Sequence, residues 1–95
     1  MSYMFEWHPQ KAVSNIAKHG MAFEEAQTVF ADPFAAIFPD EDHSNQEERE
    51  IIVGHSALQR LLLVSFTQRG EIIRIISVRR ATIKERREYE EGTNI

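Results

Sequence analysis

Seven arginines and one lysine lie between residues 60 and 87, against only Glu71 and Glu85, in a 95-residue chain whose net charge is −4. Residues 1–59 sum to −7 and residues 88–95 to −3, so an acidic body carries one basic stretch of +6. Sorting of this kind points to a phosphate-bearing ligand met locally, because a guanidinium presents parallel N–H donors that match phosphate oxygens. The densest part is Arg74-Ile-Ile-Ser-Val-Arg79-Arg80-Ala-Thr-Ile-Lys84-Glu-Arg86-Arg87, an apolar strand running into a helix. With side chains alternating between faces, Ile72, Arg74, Ile76, Val78 and Arg80 share one side, and Ile73, Ile75, Ser77 and Arg79 the other. Arg74 and Arg80 are therefore expected to converge. Arg79 joins them only if the strand ends or bulges near Val78. The competing reading pairs Arg74 with a cross-strand carboxylate such as Glu50 and gives it no chemical role.

Other chemistries lack their residues. The chain has no cysteine, which removes disulfides, thiolate metal sites and thiol nucleophiles. His8, His19, His43 and His55 show no metal-ligand spacing, and Asp40-Glu41-Asp42-His43 lacks the glycine and spacing of a calcium loop, so neither a metal nor another cofactor is expected. No P-loop, nucleophile elbow or dinucleotide fingerprint occurs. An acidic protein with a local arginine cluster can hold a phosphodiester, or bind a partner through the same residues without catalysis. Such a cluster is able to stabilise the charge that would develop if a ribose 2′-hydroxyl attacked the adjacent phosphorus, and neutral His19 or His43, or Glu85, could serve as the base. Lys18 and His19 also suit the carbonyl end of the helix that they close.

The elements that must position these groups are readable in outline. Phe5-Glu6-Trp7 is a short strand, and Pro9 opens a helix running to about Lys18, with Gly20 as its left-handed stop. Its apolar side is Ala12, Val13, Ile16 and Ala17. A second helix begins near Phe23 and ends at Asp32-Pro33. Phe34–Phe38 reads as a strand, Pro39 to about Glu47 as an exposed polar loop, and residues 49–54, 61–67 and 72–78 as three further strands. Gln68-Arg69-Gly70-Glu71 supplies a hairpin turn. Thr82-x-x-Glu85 is a capping box for a final helix ending at Gly92. The chain is thus expected to form one α+β domain over residues 1–95: an antiparallel sheet of about four main strands, two amino-terminal helices and a carboxy-terminal helix. Its expected core is Val13, Ile16, Phe23, Val29, Phe30, Phe38, Leu62, Val64, Phe66 and Ile75. The longest apolar run, Leu61–Val64, is too short for a bilayer, and the amino terminus has no signal-peptide pattern, so a cytoplasmic location is expected.

Three blocks carry a resemblance: Phe5-Glu-Trp7; Lys11-Ala-x-Ser-Asn15-x-x-Lys18-His19-Gly20-x-x-Phe23-Glu-Glu-Ala26-x-x-Val29-Phe30-x-Asp32-Pro33; and Ile73-Arg74-Ile-Ile-Ser77-x-Arg79-Arg80-Ala81. In this order they resemble the BrnT family, toxins of type II toxin–antitoxin pairs, over nearly the whole chain from Phe5 to Tyr89. The chain departs from the pattern at His8, where members often carry an acid. It departs again at Val78-Arg79-Arg80, where Ala-Arg-Lys is common.

The resemblance implies a RelE-like fold and RNA cleavage without a metal. It also implies a BrnA-like antitoxin whose ribbon-helix-helix module binds DNA, so that DNA is met only through the antitoxin and no membrane is involved. On this reading Arg74, Arg79, Arg80, His19 and Lys18 form the catalytic set, while Arg49, Arg69, Lys84, Arg86 and Arg87 contact RNA. The antitoxin is expected to cover the basic strand and final helix. Two alternatives stand beside it: a non-catalytic RNA- or protein-binding module using the same arginines, and a metal-dependent nuclease using Asp40 and Asp42.

Overall fold

The apolar runs form one five-stranded sheet with helices against it. The computed structural model describes residues 3–43 and 47–93, apart from the side chains of His43 and Thr93. In chain order the elements are β1 (Met4–Glu6), α1 (Pro9–His19), α2 (Phe23–Val29), β2 (Ala36–Pro39), β3 (Glu50–His55), β4 (Leu61–Arg69), β5 (Ile72–Arg80) and α3 (Ile83–Thr93). The strand order is β1-β5-β4-β3-β2. Strands β2 to β5 are antiparallel, as the short polar connections require, and β1 adds a fifth strand parallel to β5. A one-turn 3-10 helix at Glu41–His43 opens the expected polar loop, and residues 44–46 of that loop lie outside the described residues. No described helix is long and apolar enough to cross a membrane.

Local chemistry sets the helix ends. Pro9 takes the first position of α1, His8 Nδ1 accepts the Gln10 N–H at 3.1 Å, and Gly20 closes the helix at φ 67°. Gly70, at φ 59°, makes the β4–β5 turn. Phe23, Ala26 and Val29 turn one face of α2 onto Leu62, Val64, Phe66, Ile73, Ile75 and Val78 of the sheet, all at most 2 % exposed. The rings of Phe5, Phe30 and Phe66 meet edge to face at 5.2 and 5.0 Å and tie β1 and α2 to this core.

Three expected core residues are not in it. Val13 is 71 % exposed, Ile16 52 % and Phe38 45 %. Helix α1 meets the sheet through Ala12 and the buried Asn15 instead, which turns Val13 and Ile16 about 100° away from the contact. Asn15 decides this rotation. Strand β1 covers the outer edge of β5 only at residues 72–74, so Val78 would present bare backbone polar groups to the interior. Asn15 takes the place of the missing strand: Oδ1 accepts the Val78 N–H at 3.0 Å, and Nδ2 donates to the carbonyls of Val78 at 2.8 Å and Met21 at 2.9 Å. Phe38 is exposed because it lies on the edge strand β2, on the face opposite α1 and α2.

Candidate active site

A single register shift decides which arginines meet. Ser65 pairs with Ser77 and Phe66 with Ile75, leaving Ile76 as an extra residue in β5. Beyond this bulge the alternation is inverted. Ser77 and Arg79 stand opposite Ser65 and Leu63 on the open sheet face, which they share with Arg74, whereas Val78 and Arg80 stand opposite Val64 and Leu62 on the helix-covered side. Arg74 and Arg80 therefore do not converge. Arg80 lies near enough to Glu25 of α2 to act on its charge. Arg74 shares a face with Arg79 but sits opposite Thr67, four residues along β4 from Leu63, or about 13 Å. Its carboxylate partner is Glu6 on β1, at 2.8 Å, and not Glu50. Glu50 stands opposite Phe66, on the other side of the sheet.

Around Arg79 the open face forms a cleft of about 440 Å³ lined by His19, Asp40, Asp42, Arg49, Ser65 and Ser77, among others. It brings together the end of α1, the start of the polar loop and three strands. Of the residues expected to take part in catalysis or RNA contact, Arg79, His19 and Arg49 line it, and so do Asp40 and Asp42 of the metal-dependent alternative. Lys18 does not, being exposed on the last turn of α1, and Lys84, Arg86 and Arg87 are exposed on α3 outside it. Arg69 pairs with Glu47 and lies with Arg74 in a separate concavity of about 290 Å³. A larger concavity, about 930 Å³, lies around Tyr3, Phe30, Asp32, Phe34 and His55 with no lysine or arginine on its wall. The smaller cleft is the candidate because it collects two arginines, Arg49 and Arg79, with a histidine, His19. Among the described residues no group of three or more histidine and carboxylate side chains stands close enough to hold a metal.

Arg79 is held in a defined orientation. Its Nη1 and Nη2 donate to Glu85 Oε1 at 2.7 Å and Oε2 at 2.8 Å, and Nη1 also donates to the Arg80 carbonyl at 3.2 Å. Three of five guanidinium N–H groups are thereby used. The Nε–H and the remaining Nη2–H lie on the same edge of the plane, so one complete bidentate fork is left for an oxyanion. Glu85 is fixed in turn by the capping box, accepting the Thr82 N–H at 2.9 Å while its own N–H donates to Thr82 Oγ1 at 3.1 Å. The start of α3 thus orients the cleft arginine.

The Arg79 guanidinium, with help from Thr82, holds the Glu85 carboxyl at about 2, below its ordinary 4.5. A carboxylate this committed is a poor proton acceptor, which removes Glu85 from the candidate bases. Because the folded-state pKa is depressed, the stabilisation is present above pH 4.5 and is lost as pH falls towards 2. Glu85→Gln is expected to cost on the order of 1–2 kcal/mol at pH 7, allowing for the partial exposure of the pair. The difference from the parent chain should shrink below pH 4.5 in urea unfolding measured across pH.

The pairing of Glu25 with Arg60 has no local signature in the sequence. Arg60 donates Nε to Glu25 Oε2 at 2.8 Å, and Ser56 donates its hydroxyl to the same oxygen at 2.7 Å. The pair ties α2 to the β3–β4 connection, and the hydrogen bond from Arg60 keeps the Glu25 carboxyl below its ordinary range despite burial. Only its position thirty-five residues away hid it, since a salt bridge between distant elements leaves no local pattern.

Residues 7–85 match the family model described as "Ribonuclease toxin, BrnT, of type II toxin-antitoxin system". The chain belongs to the BrnT family. Its fold is similar to the crystal structure of the Brucella abortus ribonuclease toxin BrnT, with a TM-score of 0.64 and 25 % sequence identity over 86 % of this chain and 99 % of that one. No functionally curated protein gives a significant match. The α+β architecture, an antiparallel sheet with amino- and carboxy-terminal helices, is the one the BrnT resemblance implied. Membership covers the bulge at Ile76, Arg79 and Glu85, so the cleft lies within the matched region.

Proposed function

We propose that this BrnT-family chain is a metal-independent endoribonuclease toxin whose reaction takes place in the Arg79 cleft. The observation that carries the reading is the fork of Arg79, held by Glu85 with one bidentate edge unused, in a cleft shared with His19. A scissile phosphate bound to that edge receives donors suited to the charge that builds on its non-bridging oxygens. The 2′-oxygen of the preceding ribose attacks phosphorus and its proton passes to His19. The P–O5′ bond breaks, and the leaving oxygen takes a proton from solvent water to become a 5′-hydroxyl, leaving a 2′,3′-cyclic phosphate. Arg49, on the same cleft wall, is placed to meet an adjoining phosphate. Arg74, Arg69 and Arg80 fall outside the reacting group on this geometry, and so does Lys18.

The test is cleavage of a short RNA by the purified chain in EDTA, with the product ends identified. Products ending in 2′,3′-cyclic phosphate are the expected result. Activity that appears only when magnesium is added would overturn the mechanism and favour Asp40 and Asp42, which line the same cleft. A BrnA-like antitoxin would neutralise the toxin by covering this face. Hydrogen exchange that gains protection over residues 72–90 on adding the partner is the matching result, and protection confined to the exposed Val13–Ile16 side of α1 would argue for inhibition at a distance.

A further inference from the structure

A second concavity opens directly off the cleft. It is a groove of about 440 Å³ between α3 and the β2 edge, walled by Phe34 and Phe38 on one side and by Glu88 and Tyr89 on the other, over a floor of Val53 and Leu63. Leu63 lines both the groove and the Arg79 cleft. The register explains the continuity: Arg79 stands opposite Leu63, Leu63 opposite Val53 and Val53 opposite Ala36, one row of residues crossing four strands. Neighbouring strands are about 4.8 Å apart. A phosphate on Arg79 therefore has the groove floor one strand away, within the reach of the same nucleotide.

The walls suit a flat aromatic guest. Phe34 is 71 % exposed and Phe38 45 %, an unusual exposure for rings unless something covers them. Tyr89 is already fixed: its hydroxyl donates to the Phe34 carbonyl at 3.1 Å and approaches Asp32 Oδ2 at 3.5 Å, and its ring meets His55 edge to face at 5.7 Å. Aromatic side chains beside a phosphate-binding arginine are a platform on which a base stacks. One polar group is available on the wall. Glu85 spends its carboxylate on Arg79 and Thr82, but the Glu88 carboxylate, one helical turn later, has no partner among the described residues. An unpaired carboxylate accepts hydrogen bonds only. Guanine is the base that offers two adjacent donors, N1–H and N2–H, to match its two oxygens.

We propose that this groove is a nucleobase subsite for the residue flanking the scissile phosphate, with Phe38 and Tyr89 stacking the base and Glu88 selecting guanine. The proposal rests on the cleft being the ribonuclease site. Its test uses the full chain and short RNAs that carry guanine, adenine or an abasic ribose at each position flanking the cleaved bond. Guanine is expected to be cut about tenfold faster than adenine, the range of a bidentate base contact. Phe38→Ala is expected to lower kcat/KM on the guanine substrate by about tenfold and to leave the abasic substrate unchanged. Glu88→Gln is expected to bring guanine and adenine to within about threefold without altering the abasic rate.

An equal loss on base-bearing and abasic substrates would overturn the proposal, because the groove would then be structural. So would unchanged RNA cleavage in Phe38→Ala accompanied by lost binding of the antitoxin, which would assign the groove to a protein partner. Binding of 3′-GMP and 3′-AMP, followed by NMR, reads the groove without catalysis. Tighter binding of 3′-GMP that Glu88→Gln removes supports the subsite even if the chain cuts no RNA, a result that would defeat the ribonuclease reading alone. Equal binding of the two nucleotides in the parent chain defeats the subsite alone.

Discussion

Arg79→Ala is expected to lower kcat/KM for RNA cleavage by on the order of 100- to 1,000-fold, the effect of removing one pre-set oxyanion donor, and to relieve growth arrest when the chain is expressed alone. Arg79→Lys is expected to recover little of it. A lysine keeps the charge but lacks the planar fork, so it satisfies neither Glu85 nor the phosphate in the same way. RNA affinity should change much less than rate, since the ground-state phosphate is attracted mainly by charge, and Arg79→Lys preserves that charge. The variant also leaves Glu85 without its partner, which costs some stability. Arg79→Ala/Glu85→Gln separates the two effects: it removes the orphaned carboxylate and is expected to fold more firmly while remaining inactive. Single-turnover cleavage combined with urea unfolding checks both quantities. Full activity in Arg79→Ala, with loss in Arg80→Ala instead, would mean that the bulge does not select the working arginine.

The second large effect is on the fold itself. Asn15→Ala is expected to destabilise the protein by about 3 kcal/mol, because it strips partners from the buried Val78 N–H and from the Val78 and Met21 carbonyls. For a domain this small the melting temperature should fall by roughly 12–24 °C. Asn15→Asp is the informative companion, since a carboxylate still accepts the Val78 N–H but donates to neither carbonyl. It should be no better tolerated than alanine. Activity is expected to fall further than the folded fraction does, because Val78 lies between the bulge at Ile76 and Arg79, and a frayed edge there moves the guanidinium. A change of less than about 1 kcal/mol in urea unfolding would show that water substitutes for Asn15 and that the edge of β5 needs no side-chain partner.

Local signals carried much of this protein. Pro9, Gly20, the Thr82–Glu85 capping box and the Gly70 turn are decided by backbone preferences within a few residues, and each element they bound lies close to where the chain's own pattern puts it. The excess of arginine over residues 60–87 likewise marks the basic region without reference to any fold, and the ordered residue blocks fix the family. Faces and partners were another matter. A strict period of two puts Arg74 and Arg80 on one face, and one unpaired residue, Ile76, is enough to exchange Arg80 for Arg79 on the open face. Nothing in Ile-Ile-Ser-Val announces a bulge, because whether a strand accommodates an extra residue depends on its neighbour. Helical periodicity put Val13 and Ile16 inside. The rotation of α1 was set instead by Asn15 meeting an edge of β5 that β1 is too short to cover. Sequence alone determined the elements, the charge and the kinship. The choice among the arginines, the role of Glu85 and the groove beside the cleft were decided by tertiary structure, because each depends on which residues stand opposite one another across strands that are distant in the chain.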